Sequence, residues 1–258
     1  MKVRFVKMHG AGNDFVMIDD RDGKLLASSG RLAAIANRPD GIGCEGVILL
    51  RRSTAADFAM FFFNPDGSEA DMCGNGARCV AAFAKAVGAV RGDAMRFETR
   101  AGSVAARVLD SGAVEIALPP PKDLRGDFVN TGVPHKIVPV GDLAAVDVAE
   151  EGRRVRFSAE FGPGGANVDF VRFHPPDALD IRTYERGVEA ETFACGTGAV
   201  AAAVVGVASH GLRFPVSVRT ARGDILAVDG RREGATFVSI TLTGPVRTVF
   251  SGEIEVEG

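Results

Sequence analysis

The sequence predicts an α+β protein built from two similar domains. A cysteine-glycine motif occurs twice, as "MCGNGARC" around Cys73 and as "ACGTGAVAAA" around Cys195, 122 residues further on. Segments with the alternating pattern of strands outnumber helical segments. A run of prolines, "LPPPKDL", lies near the midpoint that the repeat implies. These three observations favour an internal duplication of a strand-rich unit.

Three segments have the composition of helices: 30–37, 76–87 and 198–209. The second and third follow the two cysteine motifs directly and are rich in Ala and Val. The glycines ahead of them suit the start of a helix that approaches other backbone closely. Each half of the chain is therefore expected to contain one apolar helix that begins at its cysteine.

The strands are predicted where β-branched and aromatic residues run between Gly, Pro and Asp signals. The clearest are "GVILLRR", "FAMFFFN", "MRFETRAGSVAARVL", "AVEIALP", "KIVPVG", "ANVDFVRF", "DILAVDG" and "TFVSITLTGPV".

A domain boundary is predicted near residue 119. Consecutive prolines favour an extended conformation and interrupt sheet pairing, so "LPPPKDL" is the clearest linker in the chain. We expect an N-terminal half at 1–118 that contains Cys73 and a C-terminal half at 119–248 that contains Cys195. The C-terminal strand, at about 249–258, is expected to return to the first half.

Charge and hydropathy limit the classes of partner. The net charge of −3 and the absence of a long basic run argue against nucleic acid and anionic membranes. The longest apolar run, 199–208, is too short to span a bilayer. The N-terminus, "MKVRFVKMHG", lacks the apolar region of a secretory signal. We expect a cytoplasmic protein that acts on a small molecule.

No cofactor or metal is predicted. The four cysteines fit neither a C-x-x-C pair nor a zinc pattern and are expected to be thiols. Gly41, Gly43 and Gly46 satisfy G-x-G-x-x-G, but the strand-like "VILLR" follows them where a dinucleotide site needs a helix. No lysine context indicates a pyridoxal Schiff base.

The chemistry is predicted at Cys73 and Cys195. A thiol at a helix N-terminus lies beside unpaired N–H groups, which lower its pKa from about 8.5. Glycines there let a ligand carboxylate reach the same donors, which stabilise charge that moves onto it when the adjacent carbon loses a proton. One helix start thus offers a base and an electron sink.

Two such sites favour a racemase or an epimerase. If a pseudo-twofold axis relates the domains, both helix starts face one cleft, and one thiolate removes an α-proton while the other thiol delivers one to the opposite face. The alternative is that both cysteines are small buried residues beside helix-packing glycines. Two matched sites favour the functional interpretation, whereas Cys79 and Cys44 fit the structural one.

The long motifs resemble those of the diaminopimelate epimerase family. "KMHGAGNDF", "NPDGSEADMCGNGARC", "TGVPHKIV", "GANVDFV" and "RTYERGVEAETFACGTGA" carry the resemblance over nearly the whole chain. It implies two domains, each a barrel-like sheet wrapped around a central helix, and a homodimer. It also implies cofactor-independent interconversion of LL- and meso-2,6-diaminopimelate, a step toward lysine and peptidoglycan precursors.

The resemblance also implies roles for individual residues. It makes Cys73 and Cys195 catalytic, with Cys73 removing the proton from the LL substrate, and it places His135 near the active site. The implied substrate-binding residues are Asn13, Asn64, Gly74, Asn75, Asn167, Glu185, Arg186, Gly196 and Thr197.

Most of these residues also have a structural interpretation. Asn64 begins the turn sequence "NPDG", Glu185 and Arg186 can form a solvated surface pair, and His135 can be a satisfied interior histidine. Asn13 and Asn167 can close loops.

The chain departs from the family pattern in three places. Val133 stands where some members have asparagine, Pro65 stands where alanine is common, and the loop 44–46 has its own sequence, "CEG".

Two other functions are compatible with the sequence. A proline-racemase-like enzyme shares the two-cysteine plan but usually carries histidine at the position of Asn75, and activity on proline would identify it. A noncatalytic anion-binding or thiol-redox module is the alternative from another class, and a cycling Cys73–Cys195 disulfide would mark it.

Overall fold

The computed structural model describes residues 1–25 and 27–256. The chain divides into two compact units, Met1–Ile116 together with Pro245–Gly258, and Ala117–Gly244. We call them unit 1 and unit 2. Residues 257 and 258 of the expected C-terminal strand lie outside the described part. The predicted division into an N-terminal and a C-terminal epimerase half remains a proposal.

The helices are α1 (Ser29–Ala36), α2 (Gly74–Ala86), α3 (Val148–Arg156) and α4 (Gly196–Ser209), with a 3₁₀ helix at Ala159–Phe161. The three predicted helices are present, and α2 and α4 begin two residues earlier than predicted. Helix α3 was not predicted from the sequence. Its signals are local, because the Asp147 side chain accepts from the Glu150 backbone amide and basic residues fill the last turn.

Each predicted run contains one or two strands, and the structure adds strands outside those runs. In chain order the strands are β1 (Lys2–Gly10), β2 (Asn13–Asp19), β3 (Gly46–Arg51), β4 (Phe58–Phe63), β5 (Glu69–Ala70), β6 (Ala94–Thr99), β7 (Gly102–Val108), β8 (Val114–Ala117), β9 (Lys122–Arg125), β10 (Phe128–Asn130), β11 (Pro134–Pro139), β12 (Asn167–His174), β13 (Ala178–Glu185), β14 (Ala190–Thr192), β15 (Val216–Arg219), β16 (Ile225–Glu233), β17 (Thr236–Gly244) and β18 (Val246–Glu255). Strands β1, β13 and β15 are among those outside the predicted runs.

Unit 1 wraps its strands around α2. Strand β1 pairs antiparallel with both β18 and β2, β2 pairs parallel with β3, and β3 pairs antiparallel with β4. Beyond β4 the sheet continues through a parallel β6 and then antiparallel β7 and β8. Helix α2 contacts β1, β2, β3, β4, β7 and β18, so it is the central helix of this unit.

Unit 2 repeats this plan around α4. Strands β9, β10 and β11 pair antiparallel in order, β11 pairs parallel with β12, and β12 pairs antiparallel with β13. A parallel β15 and antiparallel β16 and β17 complete the sheet. Helix α4 contacts β10, β11, β12, β13, β15, β16 and β17.

The duplication extends to the order of elements and the sense of pairing. The 122 residues that separate Cys73 from Cys195 also separate β3 from β12, β4 from β13, α2 from α4 and β6 from β15, to within about two residues. The parallel pairs β2–β3 and β4–β6 recur as β11–β12 and β13–β15. The predicted α+β class and its internal repeat are confirmed.

The strands beside each central helix are buried on both faces. In β3, residues 46–50 are all buried, with α2 on one side and α1 on the other. Strand β12 is buried over 167–171, between α4 and α3. This burial explains why both strands read as continuous apolar runs and do not alternate. It also leaves the ends of the strands and the helix as the places for polar side chains.

The packing of α3 on unit 2 predicts a stability difference between two glycines. Gly152 of α3 lies against β13, and an added Cβ would come within 2.4 Å of Tyr184 Cβ, whereas Gly30 of α1 has open space. We expect Gly152→Ala to lower the free energy of unfolding by about 1–3 kcal/mol. The matched change Gly30→Ala is expected to raise it by up to about 1 kcal/mol. Denaturant unfolding of both variants measures this, and equal stabilities would contradict the packing.

Candidate active site

Each cysteine motif lies at the start of a central helix. Cys73 is the N-cap of α2 and Cys195 the N-cap of α4, both with extended backbone (φ −126°, ψ 125° and φ −107°, ψ 112°). Their carbonyl groups accept the first intrahelical hydrogen bonds, from Ala77 at 2.8 Å and Ala199 at 2.9 Å. Both cysteines are thiols. The predicted position of each thiol at a helix N-terminus is confirmed.

Amide side chains surround the Cys73 thiol in unit 1. The Cys73 Sγ donates to Asn13 Oδ1 at 3.5 Å, and Asn75 Nδ2 donates to the same oxygen at 3.5 Å. The Asn13 amide in turn donates to the Glu45 carboxylate. Asn13, Cys73, Gly74 and Asn75 are therefore brought together at one helix end.

The loop with the unusual sequence "CEG" supports this group. The Glu45 backbone amide donates to Asp14 Oδ1 at 3.0 Å, and the buried Lys7 forms an ion pair with the half-buried Asp14 at 2.6 Å. Lys7 also donates to the Gly43 carbonyl. These bonds fix the loop so that the Glu45 side chain reaches Asn13, a contact that the sequence did not indicate.

A buried arginine, Arg78, lies one turn into α2. Its Nη2 donates to Asn75 Oδ1 at 2.7 Å and its Nη1 to the Gly74 carbonyl at 3.4 Å. Its Nε is buried and has no hydrogen-bond partner among the described residues. Burial lowers the pKa of the Arg78 guanidinium, and the negative charge of Cys79 or Cys73 in its thiolate form acts in the opposite direction. A positive charge thus lies beside the start of α2.

The thiol of Cys195 in unit 2 lies beside a hydroxyl and an imidazole. Cys195 Sγ is 3.3 Å from Thr197 Oγ1, which is 3.0 Å from His135 Nε2. The Thr197 carbonyl accepts from Thr131 Oγ1 at 3.0 Å, which fixes the second residue of α4. The predicted binding residues Gly196 and Thr197 therefore lie with His135.

His135 pairs with a buried carboxylate, Asp169. His135 Nδ1 lies 2.7 Å from Asp169 Oδ2, and both side chains are fully buried. Asp169 Oδ1 accepts from Thr183 Oγ1 at 2.7 Å. The parallel register of β11 and β12 sets His135 opposite Asn167, whose Nδ2 lies 3.3 Å from His135 Nε2. Sequence reasoning missed Asp169 and Thr183, because only strand register brings them to the histidine.

Burial reverses the expected effect of the helix start on Cys195. The pKa of the Cys195 thiol is raised well above its ordinary value, first by burial and then by the negative charges of Glu185 and Asp169. The hydrogen bond with Thr197 lowers it only in part. The prediction of a lowered pKa is therefore wrong at this cysteine, and in the substrate-free protein Cys195 is protonated at neutral pH.

Of the remaining predicted residues, Arg186 and Glu185 act on Cys195 or on the polar side chains around it, whereas Asn64 is bonded within its own turn. The Arg186 backbone amide donates to Asn167 Oδ1 at 2.7 Å, so the main chain of the "YERG" segment contacts the polar residues around Cys195. Glu185 ends β13 and acts on Cys195 by its charge. Asn64, in contrast, is bonded within its turn, because its amide donates to Ser68 Oγ at 3.1 Å.

Cys79 and Cys44, which the sequence predicts to be structural residues, lie in apolar surroundings. Cys79 is fully buried in α2, and burial raises the pKa of its thiol to about 12. Cys44 packs against the apolar cluster under α1, and burial raises its pKa also. Val133 offers its carbonyl to the Thr131 amide at 3.1 Å.

The described residues contain no cluster of three or more His, Cys, Asp or Glu side chains suited to a metal. Among their helices, none combines the length and apolarity needed to cross a bilayer.

Comparison with known proteins decides the family. The family model for diaminopimelate epimerase matches residues 5–121 and 128–249. The chain belongs to the diaminopimelate epimerase family. Diaminopimelate epimerase of Aquifex aeolicus is 42% identical over 280 residues, covering 99% of both chains. That of Chlorobaculum tepidum is 42% identical over 262 residues, covering 96% of this chain and 99% of the relative. Membership places this protein among the isomerases.

Solved structures with low sequence identity have the same fold. A phenazine biosynthesis protein of the PhzF family from Bacillus anthracis has a TM-score of 0.76 at 18% identity and covers 99% of this chain and 100% of its own. A hydroxyproline epimerase from Agrobacterium vitis has a TM-score of 0.68 at 18% identity, covering 98% and 92%. The two-domain epimerase fold predicted from the sequence is confirmed.

The raised pKa of Cys195 predicts its reactivity. Because the thiolate is the reactive species, alkylation of Cys195 in the substrate-free protein should be slow at neutral pH. The alkylation rate should still rise as the pH passes 9.0, because the Cys195 thiol is still protonated there. Peptide-resolved mass spectrometry after timed iodoacetamide pulses measures this, with Cys79 as an internal control that stays unmodified in the folded protein. A plateau in the rate below pH 9.0 would contradict the raised pKa.

Proposed function

We propose that the protein is a cofactor-independent epimerase that interconverts LL- and meso-2,6-diaminopimelate. The observation that carries this proposal is the duplicated helix start with an N-cap cysteine in each unit. Family membership supports the substrate, since the relatives named above are diaminopimelate epimerases. The product would serve lysine biosynthesis and peptidoglycan precursors.

In the proposed reaction Cys73 and Cys195 act on opposite faces of one α-carbon. The Cys73 thiolate takes the α-proton of the LL substrate and becomes a thiol, and the electron pair moves into the adjacent carboxylate. The Cys195 thiol then gives its proton to the other face and becomes a thiolate. Reversal of both transfers converts meso to LL, so no cofactor is needed to carry charge.

The charges near each thiol support this direction. The buried Arg78 cation beside the start of α2 favours an anion there. The raised pKa of Cys195 keeps that thiol protonated and ready to donate. The enzyme would thus rest with Cys73 as the base for LL-diaminopimelate and Cys195 as the acid.

Substrate binding would use the backbone amide donors at the helix starts. Backbone amides at Gly74, Asn75, Gly196 and Thr197 suit the α-carboxylate and stabilise the charge that develops on it. Asn13, Asn64 and Asn167 can donate and accept, and Glu185 suits an ammonium group. The Arg186 guanidinium can bind the distal carboxylate in bidentate fashion. A homodimer in the cytoplasm completes the proposal.

Substitution of each cysteine tests the two-base mechanism. Either Cys73→Ala or Cys195→Ala removes a proton carrier from one face, so epimerisation should fall by at least about 10²-fold. Cys44→Ala, which lies outside both helix starts, should keep the wild-type rate. The assay follows stereochemistry and α-deuterium by mass in deuterated water without added cofactor.

The wild-type protein should give meso product that carries solvent deuterium. Epimerisation at the wild-type rate by Cys195→Ala or by Cys73→Ala would refute the two-base mechanism. Inactivity of the wild-type protein on diaminopimelate with activity on proline would refute the substrate.

A further inference from the structure

A continuous chain of short polar contacts links Cys195 to a buried carboxylate in unit 2. It runs from Cys195 Sγ to Thr197 Oγ1 at 3.3 Å, on to His135 Nε2 at 3.0 Å, and from His135 Nδ1 to Asp169 Oδ2 at 2.7 Å. Thr183 closes the chain by donating to the other oxygen of Asp169. Every member of this chain can move or orient a proton.

The chemistry of the end group fixes the direction of the hydrogen bonds. The Asp169 carboxylate can only accept, so His135 carries its proton on Nδ1 and presents the lone pair of Nε2. The Thr197 hydroxyl therefore donates to Nε2, and its oxygen is left to accept from the Cys195 thiol. The whole chain is polarised away from the sulfur.

Asn167 confirms this direction independently. The Arg186 backbone amide donates to Asn167 Oδ1 at 2.7 Å, which identifies the other amide atom as the nitrogen. That Nδ2 faces His135 Nε2 at 3.3 Å, and an amide nitrogen can only donate. Nε2 is thus the hydrogen-bond acceptor in this contact.

The start of α4 leaves room for the Asp169 side chain. Its side chain is fully buried beside the start of α4, where a Cβ on Gly198 would come within 2.5 Å of Asp169 Oδ1. The glycine therefore leaves room for the carboxylate at the positive end of the helix dipole. Thr183 contributes a further donor.

The described residues of unit 1 hold no counterpart of this chain. The strand registers set Phe15 at the position of His135 and Ile48 at that of Asp169, and Asn75 lies 122 residues before Thr197. Phe15 and Ile48 are fully buried and apolar, and the Asn75 amide cannot take up a proton near neutral pH. The two thiols therefore differ in what supports them.

We propose that the Thr197 hydroxyl relays a proton between Cys195 and His135, and that Asp169 is the positioning residue that sets the histidine tautomer and stabilises the imidazolium. The inference rests on the proposed function and deepens it. When Cys195 must act as a base, its S–H proton passes to Thr197 Oγ1 while the Thr197 O–H proton passes to His135 Nε2. The products are a thiolate and an imidazolium paired with Asp169, and the reverse shift restores the thiol.

Cys195 requires a nearby proton acceptor before it can act as a base. Burial and the nearby carboxylates make the Cys195 thiolate unfavourable, so reaction from the meso side requires a local acceptor for its proton. His135 supplies that acceptor without contact with bulk water. Thr197 bridges the gap between the two groups.

Substitution of Thr197 tests the relay. Thr197→Val keeps the shape and removes the hydroxyl, so kcat for epimerisation should fall by about 10²-fold with little change in KM. Thr197→Ser restores a hydroxyl and should recover most of the rate. Thr220→Val is the matched control, because the buried Thr220 hydroxyl has no hydrogen-bond partner among the described residues of unit 2.

A second readout is independent of the substrate. Alkylation of Cys195, followed by mass spectrometry in the substrate-free protein, should slow in Thr197→Val and return in Thr197→Ser. If wild-type protein failed to act on diaminopimelate while these alkylation rates followed the prediction, the proposed substrate would fail and the relay would stand. Wild-type kcat together with wild-type Cys195 alkylation in Thr197→Val would overturn the relay.

Asp169→Asn is a second variant that tests the relay, for use if Thr197→Val does not fold. Asparagine can still accept from His135 Nδ1 but carries no charge to stabilise an imidazolium, so both kcat and Cys195 alkylation should fall. Thermal unfolding is measured for each variant beside Thr220→Val. Unchanged kcat and unchanged alkylation in a folded Asp169→Asn protein would also overturn the relay.

Discussion

The site depends on one constraint, the burial of an apolar helix inside each sheet. Helix α4 has no charged residue and is buried over most of its length, so only its ends can take part in chemistry. Its N-terminus carries the amides that have no partner within the helix, together with the positive end of the dipole. A cysteine at the N-cap, glycines beside it and polar residues on the neighbouring strands follow from that constraint.

The two units share a scaffold and differ in what they place around the thiol. Amide side chains and the buried cation of Arg78 surround Cys73, whereas a hydroxyl and a histidine–carboxylate pair surround Cys195. The position equivalent to Arg78 in unit 2 is Val200, within the apolar body of α4. Duplication thus supplied two similar helix starts, and substitutions on the strands gave each thiol a different electrostatic environment.

Local signals in the sequence predicted the scaffold and the thiols. Hydrophobic runs identified most strands, and the glycines after Cys73 and Cys195 identified the helix starts. Helix α3 was missed because its apolar face is small and its charges dominate the pattern. The burial of Arg78 was also invisible, since arginine is rarely enclosed.

The properties that depend on several elements could not be predicted from local sequence. Asp169 meets His135 only through the parallel register of β11 and β12. The pKa of the Cys195 thiol combines a helix dipole that lowers it with burial that raises it, and only the packed structure decides the balance.

The central claim is the polarised chain from Cys195 to Asp169, and neutron diffraction of the deuterium-exchanged protein tests it most directly. The account predicts deuterium on Cys195 Sγ, on Thr197 Oγ1 pointing at His135 Nε2, and on His135 Nδ1. Deuterium on Nε2 with a bare Nδ1, or a protonated Asp169 beside a Cys195 thiolate, would contradict it.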